Sequence, residues 1–313
     1  MTSSATKAAN LALLFGQSGA EEFLARHWPD HPYLAHGPIE RLNGIFPSGV
    51  DELLQVPCSG MMAFSSSKDG STENLVVNHD QALPLYRSGL TLYCHDMRSP
   101  DFGALASAIN EQLGLCGGRT RISAFASSRG MGVATHYDVN DNIVVQVRGT
   151  KRWRLATEPS ALNPTVGYRV DRPAGVVQSL EAGGQLPARL PDNHTVFDLR
   201  PGSAAFVPRG FLHRCETVDE ESLHFNVQTA MLTMGDLIAY AFLRKLKPSA
   251  PELRARLTHA FERGALKPDF RERLLAEYRC LGDRLSPAAL DIDEESIRGF
   301  LQFADPRSMF GND

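Results

Sequence analysis

From Arg119 onward the apolar residues of this chain recur every second position, and within that pattern His136 and Asp138 stand two residues apart. The stretches 122–126, 143–147, 152–155, 204–207 and 223–228 have strand length and strand composition, with turn residues between them. Successive side chains on extended backbone point to opposite faces, so this spacing predicts an antiparallel barrel or sandwich. It also puts His136 and Asp138 on one face, with Tyr137 pointing away. A second histidine delivered by a distant strand would complete two imidazoles and one carboxylate. That donor set, with open positions left over, suits a non-haem Fe(II) that activates oxygen.

The candidate for that second histidine is His213, at the end of 199–213. There Pro201-Gly202 makes a turn, 204–207 a short apolar strand and Pro208-Arg209-Gly210 a second turn. A hairpin lies between the two parts of the site. Gly149-Thr150 has glycine first in a two-residue loop, as a type II′ turn prefers. Beyond it Lys151, Trp153 and Leu155 share one face, and Arg152 and Arg154 take the other. A lysine on an apolar face needs an anion, which a dicarboxylate co-substrate would supply. The alternative is a solvated lysine just past the turn. The arginine face reads as a solvated strand surface that could also guide an acidic substrate. In the last strand Ser222, His224, Asn226 and Gln228 form a wholly polar face that lines either a pocket or solvent. His224 is read as packed or pocket-lining, not as a fourth ligand.

Around this core the sequence divides into three parts. Residues 1–118 mix short helices with a few strands: a helix over 21–28 ending at Pro29, one over 50–54 capped by Ser48, a strand over 90–94, and a helix over 100–113 stopped by Gly114. Residues 119–230 form the β-rich core, interrupted at 157–193 by a Pro- and Gly-rich insertion of the kind that serves as a lid or grips substrate. Residues 231–313 return to helical spacing, including 253–261, 270–278 and 294–303. The formal charge of −4 gives no footprint for non-specific nucleic-acid binding, and no direct DNA binding is expected. Five scattered cysteines read as reduced thiols. The apolar run at 8–15 is too short and too interrupted for a signal peptide, and nothing reaches transmembrane length, so a cytoplasmic protein is expected.

His136-x-Asp138, the hairpin over 143–155 and the Pro-Gly…Val-Pro-Arg-Gly…His213 segment together resemble the JmjC-type, cupin-fold 2-oxoglutarate oxygenases. The nearest subgroup is the ribosomal oxygenases, whose Trp-x-x-x-Pro lead-in segment Trp28 to Pro32 also resembles. The resemblance spans roughly residues 20–230. It implies an α+β fold, in which a double-stranded β-helix core carries N-terminal helices and a C-terminal helical dimerisation region. It implies Fe(II) held by His136, Asp138 and His213. Lys151, fifteen residues after His136, would pair with the distal carboxylate of 2-oxoglutarate, with Ser222, Asn226 and Ser127 as further co-substrate contacts. O2 would be consumed, succinate and CO2 released, and an amino-acid side chain of a protein or peptide hydroxylated by a homodimeric enzyme. Two departures stand out. Ser203 replaces the acidic residue common after Pro-Gly, and the tail after 231 is too short for a dimerisation region plus a winged helix. A hydroxylase of a precursor peptide or small metabolite, and a catalytically silent JmjC-like binding protein, are the competing readings.

Overall fold

The computed structural model describes residues 10–242 apart from 43, 67–71, 116–119, 184 and 231–232, and beyond them only 244, 261–262, 265–266 and 272. The chain divides into two compact units, Met1–Ala230 and Met231–Asp313.

The first unit begins with two helices, α1 (Leu11–Phe15) and α2 (Gln17–Arg26), followed by strand β1 (Tyr33–Ala35). The helix expected over 21–28 thus starts earlier and stops before Trp28, because the residue preceding a proline is driven out of helical backbone. Next comes α3 (Val50–Leu53). Its cap is Gly49, not Ser48; the Ser48 amide and hydroxyl both donate to the Glu52 carboxylate instead. Then follow β2 (Cys58–Ser66), β3 (Thr72–Val77), α4 (His79–Arg87), β4 (Thr91–Met97) and α5 (Pro100–Gln112). Asn78 and Gln81 cap α4 reciprocally, and Ser99 caps α5.

The β-rich part contains β5 (Thr120–Ser128), β6 (Gly132–Tyr137), β7 (Asp141–Arg148), β8 (Lys151–Ala156), β9 (Tyr168–Arg169), the short helix α6 (Val176–Glu181), β10 (Thr195–Leu199), β11 (Ala204–Val207), β12 (Leu212–Thr217) and β13 (Glu221–Thr229). Two antiparallel sheets result, ordered β1-β11-β7-β13-β5-β4-β2-β3 and β10-β8-β12-β6-β9. From β5 to β8, and again from β10 to β13, each consecutive strand changes sheet. This winding is the double-stranded β-helix, and it gives every strand one enclosed face. Gly149 has φ +64 at the first residue of the β7–β8 turn, where a Cβ would lie 1.9 Å from the Glu221 carbonyl oxygen. The glycine anticipated there is therefore obligatory.

The main apolar core does not lie between the sheets. It lies on the outer face of the large sheet, where Ile122, Val145, Phe206 and Phe225 meet Leu14 and Phe23 from the first helices and Phe102 and Leu105 from α5. A smaller cluster, including Val144, Trp153, Leu155 and Cys215, fills part of the enclosed space. The 157–193 insertion packs Ala161, Tyr168 and Val170 on the outside of the small sheet, against Tyr137 and Leu212.

In the second unit, α7 (Met234–Ala241) is capped by Thr233 and Asp236. Phe261 pairs with Leu266 in a two-residue ladder and does not end a helix; Gly264, a helix-breaking residue, stands between them in sequence. Apart from residue 272, the remainder of the helices expected over 253–261, 270–278 and 294–303, and with them the expected dimerisation region, lie outside the described residues. No helix among the described residues is long and apolar enough to cross a membrane.

Phe206 is 1% exposed and its ring stands 5.0 Å from Phe23 and 5.6 Å from Trp28. Phe206→Ala is expected to cost about 3–5 kcal/mol, read as a lowered midpoint in urea denaturation.

Candidate metal centre

In the small sheet β6 and β12 are neighbours, and their register puts His213 opposite His136. One pair along, Cys215 faces Val133, so three steps of β6 answer two of β12. That extra residue is a bulge, a device that re-aims side chains beside functional sites. It turns His136 toward the enclosed face that His213 shares, while Tyr137 packs outside against Tyr168. Asp138 follows directly after β6. Its carbonyl accepts from the Gly210 amide at 2.9 Å, tying the turn before β12 to the end of β6. Gly210 has φ +78, and a Cβ there would stand 2.5 Å from the Ala161 carbonyl oxygen, so that turn closes tightly only with glycine.

The three side chains converge. One Asp138 oxygen lies 3.9 Å from His136 Nε2, and the other lies 3.9 Å from His213 Nε2. A ligand atom from each residue falls within 4.8 Å of the others. Donors held about 2.1 Å from one ion stand roughly 3–4 Å apart, so the spacing accommodates a metal. Each histidine donates Nδ1–H to a carbonyl two residues earlier in the chain, His136 to Ala134 at 2.7 Å and His213 to Phe211 at 2.9 Å. Both Nε2 lone pairs are thereby left facing Asp138. Burial, and then the neighbouring His136, lowers the His213 pKa to about 4, which keeps this imidazole neutral. Trp153 stacks on the His213 ring at 5.6 Å and holds its plane. The cradle is open on the carboxylate side, since Asp138 is 33% exposed while His213 is 4% exposed.

Below the cradle the enclosed face is polar. Lys151 is 1% exposed and donates to Ser127 Oγ at 3.0 Å, and no carboxylate pairs with it among the described residues. Burial lowers its pKa. A buried ammonium held only by a neutral hydroxyl fits a site built for an incoming carboxylate. Ser222 stands opposite Ser127 in the β13–β5 register and accepts from Gln146 at 2.8 Å. Asn226 Oδ1 and His224 Nδ1 are buried without hydrogen-bond partners among the described residues. The polar face of β13 therefore lines the barrel interior and not solvent. The His224 ring lies flat on Phe125 at 5.2 Å and edge-on to Trp153 at 6.1 Å and is not one of the three converging donors, as a pocket-lining histidine would be.

Two residues escaped the sequence reading. Asn142 donates to Asp138 Oδ2 at 2.8 Å and orients the carboxylate between the imidazoles. Its signal was available, because it falls in phase with the buried Val144 and Gln146 of β7. Asp141 accepts from the Arg209 amide at 2.9 Å, and burial pushes its pKa up to about 6 despite that bond.

A double-stranded β-helix with two imidazoles and a carboxylate converging at its mouth defines a class of metal-binding barrels. Residues 104–237 match the family model of the JmjC domain. Among its relatives, YxbC of Bacillus subtilis is 27% identical over 72% of both chains. Ribosomal oxygenase 1 of Homo sapiens is 30% identical over 63% of this chain, and that match spans only 28% of the human protein's length. The solved ribosomal oxygenase YcfD from Escherichia coli, in complex with cobalt and 2-oxoglutarate, shares the fold. Its TM-score is 0.52 at 17% identity, covering 90% of this chain and 70% of that one.

Lys151→Met keeps the length of the side chain and removes the buried charge. The ligand-free variant is expected to be at least as stable as the parent, by up to about 1–2 kcal/mol in urea denaturation. A clear loss of stability would mean that the ammonium already has its counterion.

Proposed function

We propose that His136, Asp138 and His213 bind Fe(II) and that Lys151 receives the distal carboxylate of 2-oxoglutarate. The protein is a 2-oxoglutarate-dependent oxygenase that hydroxylates an amino-acid side chain of a protein or peptide. One observation carries this reading: a fully buried lysine with no counterion among the described residues lies within the same barrel as the three-donor cradle. The JmjC domain and the ribosomal oxygenases among its relatives support it.

When bound, Fe(II), 2-oxoglutarate and O2 together supply the oxidising power that converts a C–H bond to C–OH, with succinate and CO2 as co-products. The chain's own residues do the rest. Asn142 fixes the Asp138 carboxylate, and the two backbone carbonyls fix the imidazole tautomers. Ser127 aims the Lys151 ammonium, and Ser222 steadies that end of the barrel through Gln146. Asn226 offers a buried amide to the co-substrate. Trp153 and Phe125 exclude water from the interior, which strengthens the Lys151 attraction. The open side beside Asp138 admits the substrate. In this reading residues 119–230 are the catalytic core and 1–118 its flank. The helical sequence period of 231–313 supports homodimerisation through that region.

Purified protein supplied with Fe(II), 2-oxoglutarate and candidate peptides should form succinate and a product one oxygen heavier by mass spectrometry. His136→Ala and Asp138→Ala should abolish both with the fold retained, measured by circular dichroism. Lys151→Ala should chiefly raise the 2-oxoglutarate concentration required, by about tenfold or more; an unchanged requirement would remove its assigned role.

A further inference from the structure

The outward face of β8 carries Arg152 and Arg154, and beside it runs β10, which among the described residues is an edge strand paired on one side only. These arginines line a cleft of about 700 Å³ with Val196, Phe197, Asp198 and Arg200. Three guanidiniums and one carboxylate line it, with Glu216 beside Arg154, in a chain whose formal net charge is −4. Arg152 is committed, since it grips Asp198 with two bonds of 2.8 and 2.9 Å. Arg154 is half committed. It donates to Glu216 at 3.0 Å, yet its Nη1 is buried and has no partner. The Arg200 guanidinium has no hydrogen-bond partner among the described residues.

These less committed guanidiniums have a direction, Arg154 through the part of its side chain that stays exposed. Arg154 stands opposite Val196 in the β8–β10 register, and Arg200 follows the end of β10 four residues further on. Four residues of extended chain cover about 13 Å. Although the charges of both also reach Asp198 between them, guanidiniums rooted that far apart suit two carboxylates on one extended strand better than one small anion. The edge of β10 offers main-chain hydrogen bonds to such a strand, and Val196, 51% exposed, offers it an apolar step between the charges.

We propose that this cleft binds an extended acidic peptide segment of a protein partner, which pairs with the edge of β10 and sets carboxylates against Arg154 and Arg200. The cleft is on the outside of the small sheet, so binding there needs neither metal nor 2-oxoglutarate.

The test uses the full chain without metal and a fluorescein-labelled peptide of about eight residues alternating Glu and Val. Anisotropy should report a Kd of about 1–100 µM that weakens as salt is added. The variant carrying Arg154→Gln and Arg200→Gln should bind about tenfold or more weakly with its melting temperature unchanged. Should that variant fail to fold, Val196→Asp on the exposed edge should weaken binding to a similar degree by like-charge repulsion. The proposal is overturned by no binding at about 1 mM, by equal binding of the Gln-for-Glu peptide, or by parent-like binding in the folded variants. It is equally overturned if oligothymidylate or polyphosphate binds as tightly with the same dependence on both arginines, since the cleft would then be a general polyanion site.

Discussion

The register between β6 and β12 is the constraint on which the site depends. Side chains alternate along a strand, so a slip of one residue would turn His213 away from His136 and out of the barrel. The bulge in β6 makes the match possible, because Val133 and His136 both face the enclosed side although they are three steps apart, an odd number. Once the two imidazoles are opposed, Asp138 has little freedom. Gly210 ties its carbonyl and Asn142 its carboxylate, and the carboxylate lies equally far from both rings.

A barrel that spends its enclosed face on polar side chains must find its stability elsewhere. Here the large sheet is apolar outward, toward the helices, and polar inward. Ile122, Ala124 and Ala126 of β5 meet the helices while Ser123 and Ser127 look into the barrel, and β13 repeats the arrangement with Phe225 outside and Asn226 inside. Burial of the helices against the sheet supplies the apolar stabilisation. The interior is then free to hold a lysine, a histidine and amides that would weaken an ordinary core.

This division explains what the sequence disclosed. Lys151, Trp153 and Leu155 could be assigned to one face because β8 is regular, and its partners β10 and β12 keep the same phase throughout. The pocket face of β13 was equally plain as a pattern, but its burial was not, because alternation alone does not distinguish solvent from an enclosed cavity. β6 was not legible as a whole strand. Its bulge breaks the alternation, so His136 and Asp138 could be paired locally while Val133 could not be placed. β9 was hidden for another reason: two residues cannot carry a period, and Tyr168 and Arg169 become a strand only by pairing with Tyr137 and His136. The segment 58–88 holds two strands and a helix whose edge position leaves Leu75 and Val76 exposed, which blurs the contrast that a period needs. Ser48 shows the limit at a single residue. Serine one place before a glycine looks like a cap, but the extended Gly49 takes that position and Ser48 binds the Glu52 carboxylate instead.

β8 shows how burial decides what a cation means. On its inner face Lys151 has lost its water and received only a hydroxyl in return, so its charge is a demand for a ligand. On its outer face, one residue away, Arg152 and Arg154 have found Asp198 and Glu216 across the neighbouring strands, where solvent also screens them. Ion pairs so placed contribute little to stability, but they hold the guanidiniums in fixed positions. The same alternation that hides one cation therefore displays two others, and a single strand of six residues serves both sides of the small sheet.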